Sequence, residues 1–477
     1  MKILIVALLT GGSMIGCMVG PTYRTPTTTP PSQWQEVPGG TAAAAPPAAA
    51  TWWKTFQDPE LDSLVQRALK ANLDLRIAEA RVREARAQAG IQDAAAWPSL
   101  NASGSKIRER QSSNQPILGE LLPPGTQTVS NAYQAGFDAS WELDLFGAVR
   151  RGREAATARV QAAAYSREDV QVTLVAEVAR TYAVARGFQQ RLAIARDNIK
   201  AQQDIVALTR DRFHSGLTSS LEPDQAATVL AETEAQVPAL ETGLRTAVHH
   251  LGVLLGQAPG ALTQELEAVA PIPQAPPQVP AGLPSDLLRR RPDIRGAERQ
   301  LAAATADVGV ATADLFPRFA LTASAGYLSA NSGSLFKNDS RTWSVGPTFQ
   351  WRIFDAGAIR ANIRVQNARQ EQALVTYQKA VLSGFEDVED ALVAYSREQD
   401  RNRPLRQAVS TSASALEVSR QLYGNGLASF LNVLDAERSL YQAQDALVQS
   451  DQAVAQDYIA LYKALGGGWL ESPVAGG

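Results

Sequence analysis

Glu386, Asp387, Glu389 and Asp390 place four carboxylates within five residues. Such a cluster could trade protons, but a solvated helix face accounts for it and no acid–base role follows. The only three histidines are His214, His249 and His250. The last two are adjacent, so on a helix they face different ways and make a poor metal pair; surface or packing roles suit them better. No Ser/His/Asp pattern stands out, and no Gly-rich loop ends in Gly-Lys-Ser or Gly-Lys-Thr. The residues point to no enzyme and no cofactor, so any energy source must come from a partner. Beyond the leader methionine is nearly absent, which leaves no Met-lined copper path, although metal ions remain conceivable cargo.

One residue does invite chemistry. Cys17 is the only cysteine, so no intramolecular disulfide can form. Residues 1–16 read as a signal peptide, with Lys2 as its positive start and Ile3 to Ile15 as its apolar core. Met14-Ile15-Gly16-Cys17 resembles a bacterial lipoprotein signal, with Met14 where Leu is usual and the small Gly16 before the cysteine. This implies lipidation of Cys17. The alternative is a buried cysteine in a plain signal peptide. Met18-Val19 places no Asp after the cysteine, which in the enterobacterial sorting pattern points to the outer membrane.

The elements that must position any site occur twice. Tyr133, Ala135, Phe137, Ala139, Trp141, Leu143 and Leu145 alternate with mostly polar neighbours, the two-residue period of a strand with one apolar face. After Gly147 the composition turns to Ala, Arg, Glu and Gln, strong helix formers, with no proline until Pro223. A helix from Gly147 to Phe213 would rise ~100 Å. Shifted by 210 positions, Trp141 becomes Trp351, Gly147-Ala148 becomes Gly357-Ala358 and Arg150 becomes Arg360. Trp343 to Ile353 alternate in the same way, and helix follows towards Tyr423. Leu374, Val381, Val388, Tyr395, Asn402, Val409, Leu416 and Tyr423 recur every seven residues; Ala164 to Phe213 repeat the seam, and only Gln171 and Asn402 break it. A sustained seven-residue period means long helices packed side by side. Ile194, Ala201 and Leu208 add a second stripe ~200° round the helix, which suits a wall with a neighbour on each side. An ordinary coiled coil would show the first seam as well.

The rest of the chain fits two copies of helix, strand, loop, strand, long helix, turn, helix. Residues 17–57 begin with the cysteine and read as an extended Pro/Thr/Ala-rich tether. Residues 58–257 form the first repeat: Asp58 to Ala96 is helical with a break near Asn72, and a weaker strand covers 99–108. Residues 109–131 form an interstrand loop, and after the long helix a further one starts at Ser219 or Ser220 and kinks at Pro238. Residues 258–284 are a Pro-rich linker. The second repeat covers 285–468, with a strand from Phe319 to Tyr327, an interstrand loop shorter by nine residues, a kink expected at Pro404 and a last helix stopped by Gly466-Gly467-Gly468. Residues 469–477 are a C-terminal tail.

No apolar run reaches the ~20 residues of a spanning helix, so a membrane crossing would use strands. Four strands cannot close a barrel, since small ones need about eight, and an open edge in lipid leaves backbone groups unpaired at several kcal/mol each. The chain must therefore oligomerise. Three copies would supply twelve strands, although physics alone does not choose three over two or four. The formal charge of −3 and pI near 5.8 offer no basic patch for nucleic acid.

Leu287-Leu288-Arg289-Arg290-Arg291-Pro292-Asp293-Ile294-Arg295 through Ala313-Asp314-Leu315-Phe316-Pro317 resembles a signature of the TolC-like outer-membrane factors. Leu461 to Trp469, and Cys17 followed by Val19-Gly20-Pro21 and Tyr23, resemble their lipoprotein branch, which serves resistance–nodulation–division efflux pumps. Arg291-Pro292-Asp293 by itself reads as a helix start. The resemblance implies an α+β membrane protein: a homotrimer whose twelve-stranded transmembrane β-barrel, four strands per chain, continues into a long periplasmic α-barrel. It implies a passive exit duct for small molecules, working with a periplasmic adaptor and an inner-membrane proton-driven pump, among outer-membrane lipid. A protein-secretion duct and a periplasmic coiled-coil spacer are the alternatives. Gly216 and Gly426 suit positive φ in the turns after the long helices, and Leu217, Thr218, Leu427 and Ala428 are expected to meet the adaptor there. Leu431 and Asp435 lie four apart on one helix face; the resemblance makes them rings that narrow the periplasmic entrance, with Leu221 and Gln225 at the matching places of the first repeat.

Overall fold

The structure, a computed structural model, describes residues 18–36, 49–110, 112, 129–276 and 284–469. Cys17 and the leader, most of the first interstrand loop, the end of the Pro-rich linker and the tail after Trp469 lie outside the described residues. The chain forms two compact units, one built from 1–26, 83–161 and 298–376, the other from 27–82, 162–297 and 377–477.

The first unit holds the sheet. Strands β1 (Ser99–Arg110), β2 (Val129–Leu143), β3 (Arg318–Ser329) and β4 (Arg341–Gln350) pair antiparallel in the order β1-β2-β3-β4. Phe137 faces Ala325, which faces Trp343, so the apolar positions of neighbouring strands share one face. β2 starts earlier than Tyr133 and stops before Leu145. It stops there because Asp144 leaves the strand to cap the next helix: its carboxylate accepts from the Val149 and Arg150 backbone N–H groups at 3.1 and 2.9 Å. β4 ends at Gln350 rather than Ile353, because Ala356 and Gly357 take positive φ and Asp355 caps the following helix through the N–H groups of Gly357 and Ile359.

The repeat is visible in single bonds. The Trp141 indole donates to the Ala96 carbonyl at 3.0 Å, and the Trp351 indole donates to the Leu315 carbonyl at 3.1 Å. Ala96 precedes Trp97-Pro98 as Leu315 precedes Phe316-Pro317. Each tryptophan thus ties the end of one strand to the start of its neighbour.

Helix α1 (Pro59–Ala71) breaks at Asn72 before α2 (Leu73–Ala94). Asn72 holds the break, donating to the Leu254 carbonyl and accepting from the Leu75 N–H, both at 2.9 Å. The long helices are α3 (Ala148–His214) and, in the second repeat, α7 (Ala358–Gly424), each of 67 residues. They return through α4 (Leu221–Leu254) and α8 (Phe430–Ala464). The second repeat opens with α5 (Pro284–Arg290) and α6 (Pro292–Ala313). Both α4 and α7 stay continuous through Pro238 and Pro404. Ser220 makes no side-chain cap bond, its backbone being already helical at φ −61°, ψ −15°.

The two seam-breaking residues are both bonded. The Gln171 amide donates to the Gly468 carbonyl at 2.9 Å, and buried Asn402 donates to Ser450 and Asp451 at 3.1 and 2.8 Å while accepting from Arg406. Most of the remaining second-copy seam is buried, namely Val381, Val388, Tyr395, Leu416 and Tyr423. In the first copy Phe213 is exposed.

The second unit's core corrects the readings of tether and linker. Trp34 packs with Leu287, Val388 and Leu461, and Trp52 is 1% exposed, stacked 5.5 Å from Tyr462. In the Pro-rich stretch, Leu262, Leu266 and Ile272 are buried among Leu61, Leu64, Leu251 and Leu255. Where described, both segments are docked, because their widely spaced apolar side chains find core positions on helices distant in sequence.

Candidate functional site

Each long helix ends in the same turn. Gly216 has φ +72° and Gly426 has φ +71°. Leu217 N–H bonds the Arg212 carbonyl at 2.9 Å, and Leu427 N–H bonds the Leu422 carbonyl at 2.8 Å, each reaching back over a glycine in the left-handed conformation. The turn lifts Leu217 and Leu427 into solvent, 68% and 75% exposed, while Thr218 and Ala428 are half-buried. Each turn thus presents one exposed leucine to solvent.

Just past the second turn, Phe430, Val433 and Leu434 pack against Val206, Ala226 and Val229. Leu431 and Asp435 occupy the opposite face of α8, exposed, with Leu431 at 54%. The chain's own core therefore uses neither. In the first repeat Leu221 is 60% exposed and Gln225 is half-buried. Beside them a polar clamp joins the hairpins. The Tyr423 hydroxyl donates to Glu222 at 2.7 Å, the Arg212 guanidinium lies 4.7 Å over the Tyr423 ring, and Arg420 pairs with buried Glu437 at 2.8 Å. Burial raises the Glu437 carboxyl above its usual range against the pull of Arg420.

The residues that follow Cys17 are placed, and by a side chain that local sequence patterns do not reveal. Arg151, fully buried, donates to the Val19 and Gly20 carbonyls and to Thr22 Oγ1 at 3.2–3.3 Å and pairs with Glu154 at 2.7 Å. Val19 N–H bonds the Phe146 carbonyl at 3.2 Å. Gly20 lies so close to Gly309 that a Cβ on it would come within 2.5 Å of the Gly309 Cα. Val19-Gly20-Pro21 is thus seated where β2 passes into α3.

Arg291-Pro292-Asp293 does start α6, but Arg291 does more than precede it. Its guanidinium grips Asp293 through two bonds of 3.0 and 2.8 Å, reaches Asp387 at 2.8 Å and donates to the Ala464 carbonyl at the end of α8. Asp387 belongs to the acidic cluster read as a solvated face. Glu389 also has a structural partner, accepting from the Gln35 and Glu36 N–H groups at 2.9 and 3.2 Å. The cluster is therefore partly a set of long-range ties. His250 lies 3.2 Å from Glu177, and among the described residues no group of three His, Cys, Asp or Glu could hold a metal.

Asp457 on α8 carries a testable consequence. Burial, with the Glu398 charge beside it, pushes its carboxyl up to about 6. An acid whose pKa is raised by folding binds more protons folded than unfolded between the two values, so its cost is present at neutral pH and fades as pH falls through 6. Asp457→Asn is expected to raise the thermal midpoint at pH 7 by ~2 °C and to leave it unchanged at pH 4. Melting curves at the two pH values check this; equal gains at both would assign the effect to packing.

A family model described as outer membrane efflux protein matches residues 64–257 and 283–467. The solvent efflux pump outer membrane protein SrpC of Pseudomonas putida is 34% identical over 462 residues, which cover 96% of this chain and 96% of that protein. The pyoverdine export outer membrane protein OpmQ of Pseudomonas aeruginosa is 37% identical over 422 residues, 87% of each. Among solved structures, the outer-membrane channel OprN matches with a TM-score of 0.88 at 37% identity, over 95% of this chain and 100% of that one. The α+β membrane-protein fold expected from the sequence is the fold of these channels.

Proposed function

The chain belongs to the outer membrane efflux protein family, and from that premise we propose that it is the exit duct of a tripartite pump, a passive channel carrying small molecules out of the periplasm. The observation that carries this reading is the four-stranded sheet with an apolar face and two unpaired edges, continued in the chain by helices of 67 residues. A coiled-coil spacer needs no such sheet. Edges left open in lipid are costly, and three copies joined β4 to β1 remove them in a twelve-stranded barrel. The helices then form an α-barrel in the periplasm.

Cys17 is lipidated in this reading. The support is Val19 and Gly20, two and three residues after the cysteine, which are held at the β2–α3 junction. The exposed turn residues Leu217 and Leu427, with Thr218 and Ala428, meet a periplasmic adaptor, which links the duct to an inner-membrane proton-driven pump. Leu431 and Asp435 line the closed entrance. The relatives' names speak of solvent and of pyoverdine; here the cargo class is drugs, solvents or metal ions, selected by the pump.

Native mass spectrometry of the detergent-solubilised protein tests the reading. Three chains are expected, each cleaved before Cys17 and heavier by its acyl groups, and the same preparation is expected to conduct in a planar bilayer. A stable monomer sinks the architecture, and an unmodified cysteine sinks the anchor alone.

A further inference from the structure

The outward face of the sheet is sorted by charge along its length. Pairing of Ala102 with Phe137, Lys106 with Tyr133, and Arg341 with Tyr327 and through it Ala135 places Lys106, Arg108, Arg110 and Arg341 on the face that carries Phe137 and Trp343. The strands' carboxylates, Glu109, Asp138 and Glu142, all fall on the opposite face by the same alternation. All four cations sit at the loop end of the strands, and among the described residues none of them is in an ion pair with a carboxylate. Lys106 lies 5.5 Å over the Tyr133 ring. In a transmembrane wall, unpaired cations are tolerated near the interface and costly at the midplane. Their restriction to one end fits that rule, but the absence of a balancing carboxylate among the described strand residues of this face is not required by it.

Directly beneath the collar is a groove of about 570 Å³. Its floor is Ala102, Ala135 and Ala325, with Gly136 and Gly326 paired across β2 and β3. The backbones there lie so close that a Cβ on Gly326 would come within 2.5 Å of the Ala135 carbonyl oxygen. Its walls are Phe137, Trp343 and the Tyr327–Phe336 pair, whose rings meet edge to face at 5.5 Å. Small residues make the hollow and large aromatics border it, a shape that takes a flexible hydrocarbon chain.

We propose that this collar and groove bind a bisphosphorylated glycolipid of the outer leaflet, an acyl chain lying in the groove and the phosphates on the arginines. The inference rests on the membrane-channel reading above. Charge spacing favours this occupant over a phospholipid with one phosphate. From Lys106 to Arg110 is ~13 Å along the strand, and Arg341 lies three strand spacings from β1, ~14 Å across. Two separated phosphates can engage both groups at once, and arginine forks suit phosphate oxygens.

The test is native mass spectrometry of the trimer exchanged into detergent with bisphosphorylated lipid A, monophosphorylated lipid A or phosphatidylglycerol. Wild type is expected to retain one bisphosphorylated lipid per chain, with at least tenfold weaker retention of the other two. Arg108→Gln with Arg110→Gln and Arg341→Gln is expected to cut retention at least tenfold, and Ala325→Leu, which fills the groove without touching charge, severalfold. Inorganic phosphate should not displace the lipid. Equal retention of phosphatidylglycerol, displacement by phosphate, or unchanged retention in both variants overturns the proposal. Those outcomes leave the channel reading standing if the trimer still conducts, whereas failure to form a conducting trimer removes that reading first.

Discussion

Leu431→Ala combined with Asp435→Ala is expected to leave the trimer intact, raise its single-channel conductance severalfold and lower its cation preference. Both residues lie on the face of α8 that the chain's own core leaves unused, while Phe430, Val433 and Leu434 hold the other face. Three leucines can block a narrow mouth, and three carboxylates make a constriction that favours cations. Helix-dipole stabilisation does not account for Asp435, since α8 carries no acid in its first turn. Planar-bilayer recordings with a salt gradient give both quantities in one experiment. Leu434→Ala serves as control: it removes a buried side chain and should lower stability with little change in selectivity. A double variant that no longer forms a trimer would mean that Leu431 packs between subunits, and a trimer of unchanged conductance would put the gate elsewhere.

Arg291→Ala should be among the most damaging single changes outside the barrel. The arginine is the shared partner of Asp293 and Asp387 and also holds the Ala464 carbonyl, with its side chain 12% exposed. Asp169, whose carboxyl burial raises, and Asp390 line the same pocket, where Lys463 is the other cation. Removing one member of a buried ion pair strands the rest, typically at 3–5 kcal/mol; Asp387 is half exposed, so ~3 kcal/mol is expected. The thermal midpoint should drop by ~5 °C or more. Arg291→Lys keeps the charge but not the two-pronged grip and should recover less than half of the loss. If lysine restores the midpoint fully, net charge matters and geometry does not.

Local pattern carried much of the architecture. The alternation around Trp141 and Trp343, the seven-residue seam, the break at Asn72 and the glycines after both long helices each follow from rules acting within a few residues. What could not be read depends on partners far along the chain. Trp34 and Ile272 sit in segments whose Pro-rich composition suggests free chain, yet each reaches a core built by helices elsewhere. Arg151 gives no sign in its neighbours that it clamps Val19 and Gly20, 131–132 residues away. The acidic run at 386–390 looks solvated until Arg291 and the backbone of Gln35 and Glu36 are brought to it. Ser220, before α4, sits where a cap would be expected, but its side chain makes no cap bond because its backbone is already helical.

The even number of strands with free edges at β1 and β4 has a genetic consequence. Joining β4 of one copy to β1 of the next keeps antiparallel alternation unbroken round the ring, and the contact is head-to-tail, so every copy is needed for closure. A chain with a damaged edge is then not merely idle: it enters rings and spoils them. In a cell making equal amounts of sound and damaged chains, only roughly one ring in eight would be free of damage if three copies mix at random. Edge mutations in such a protein should therefore behave as dominant, whereas mutations that stop the chain from folding should be recessive.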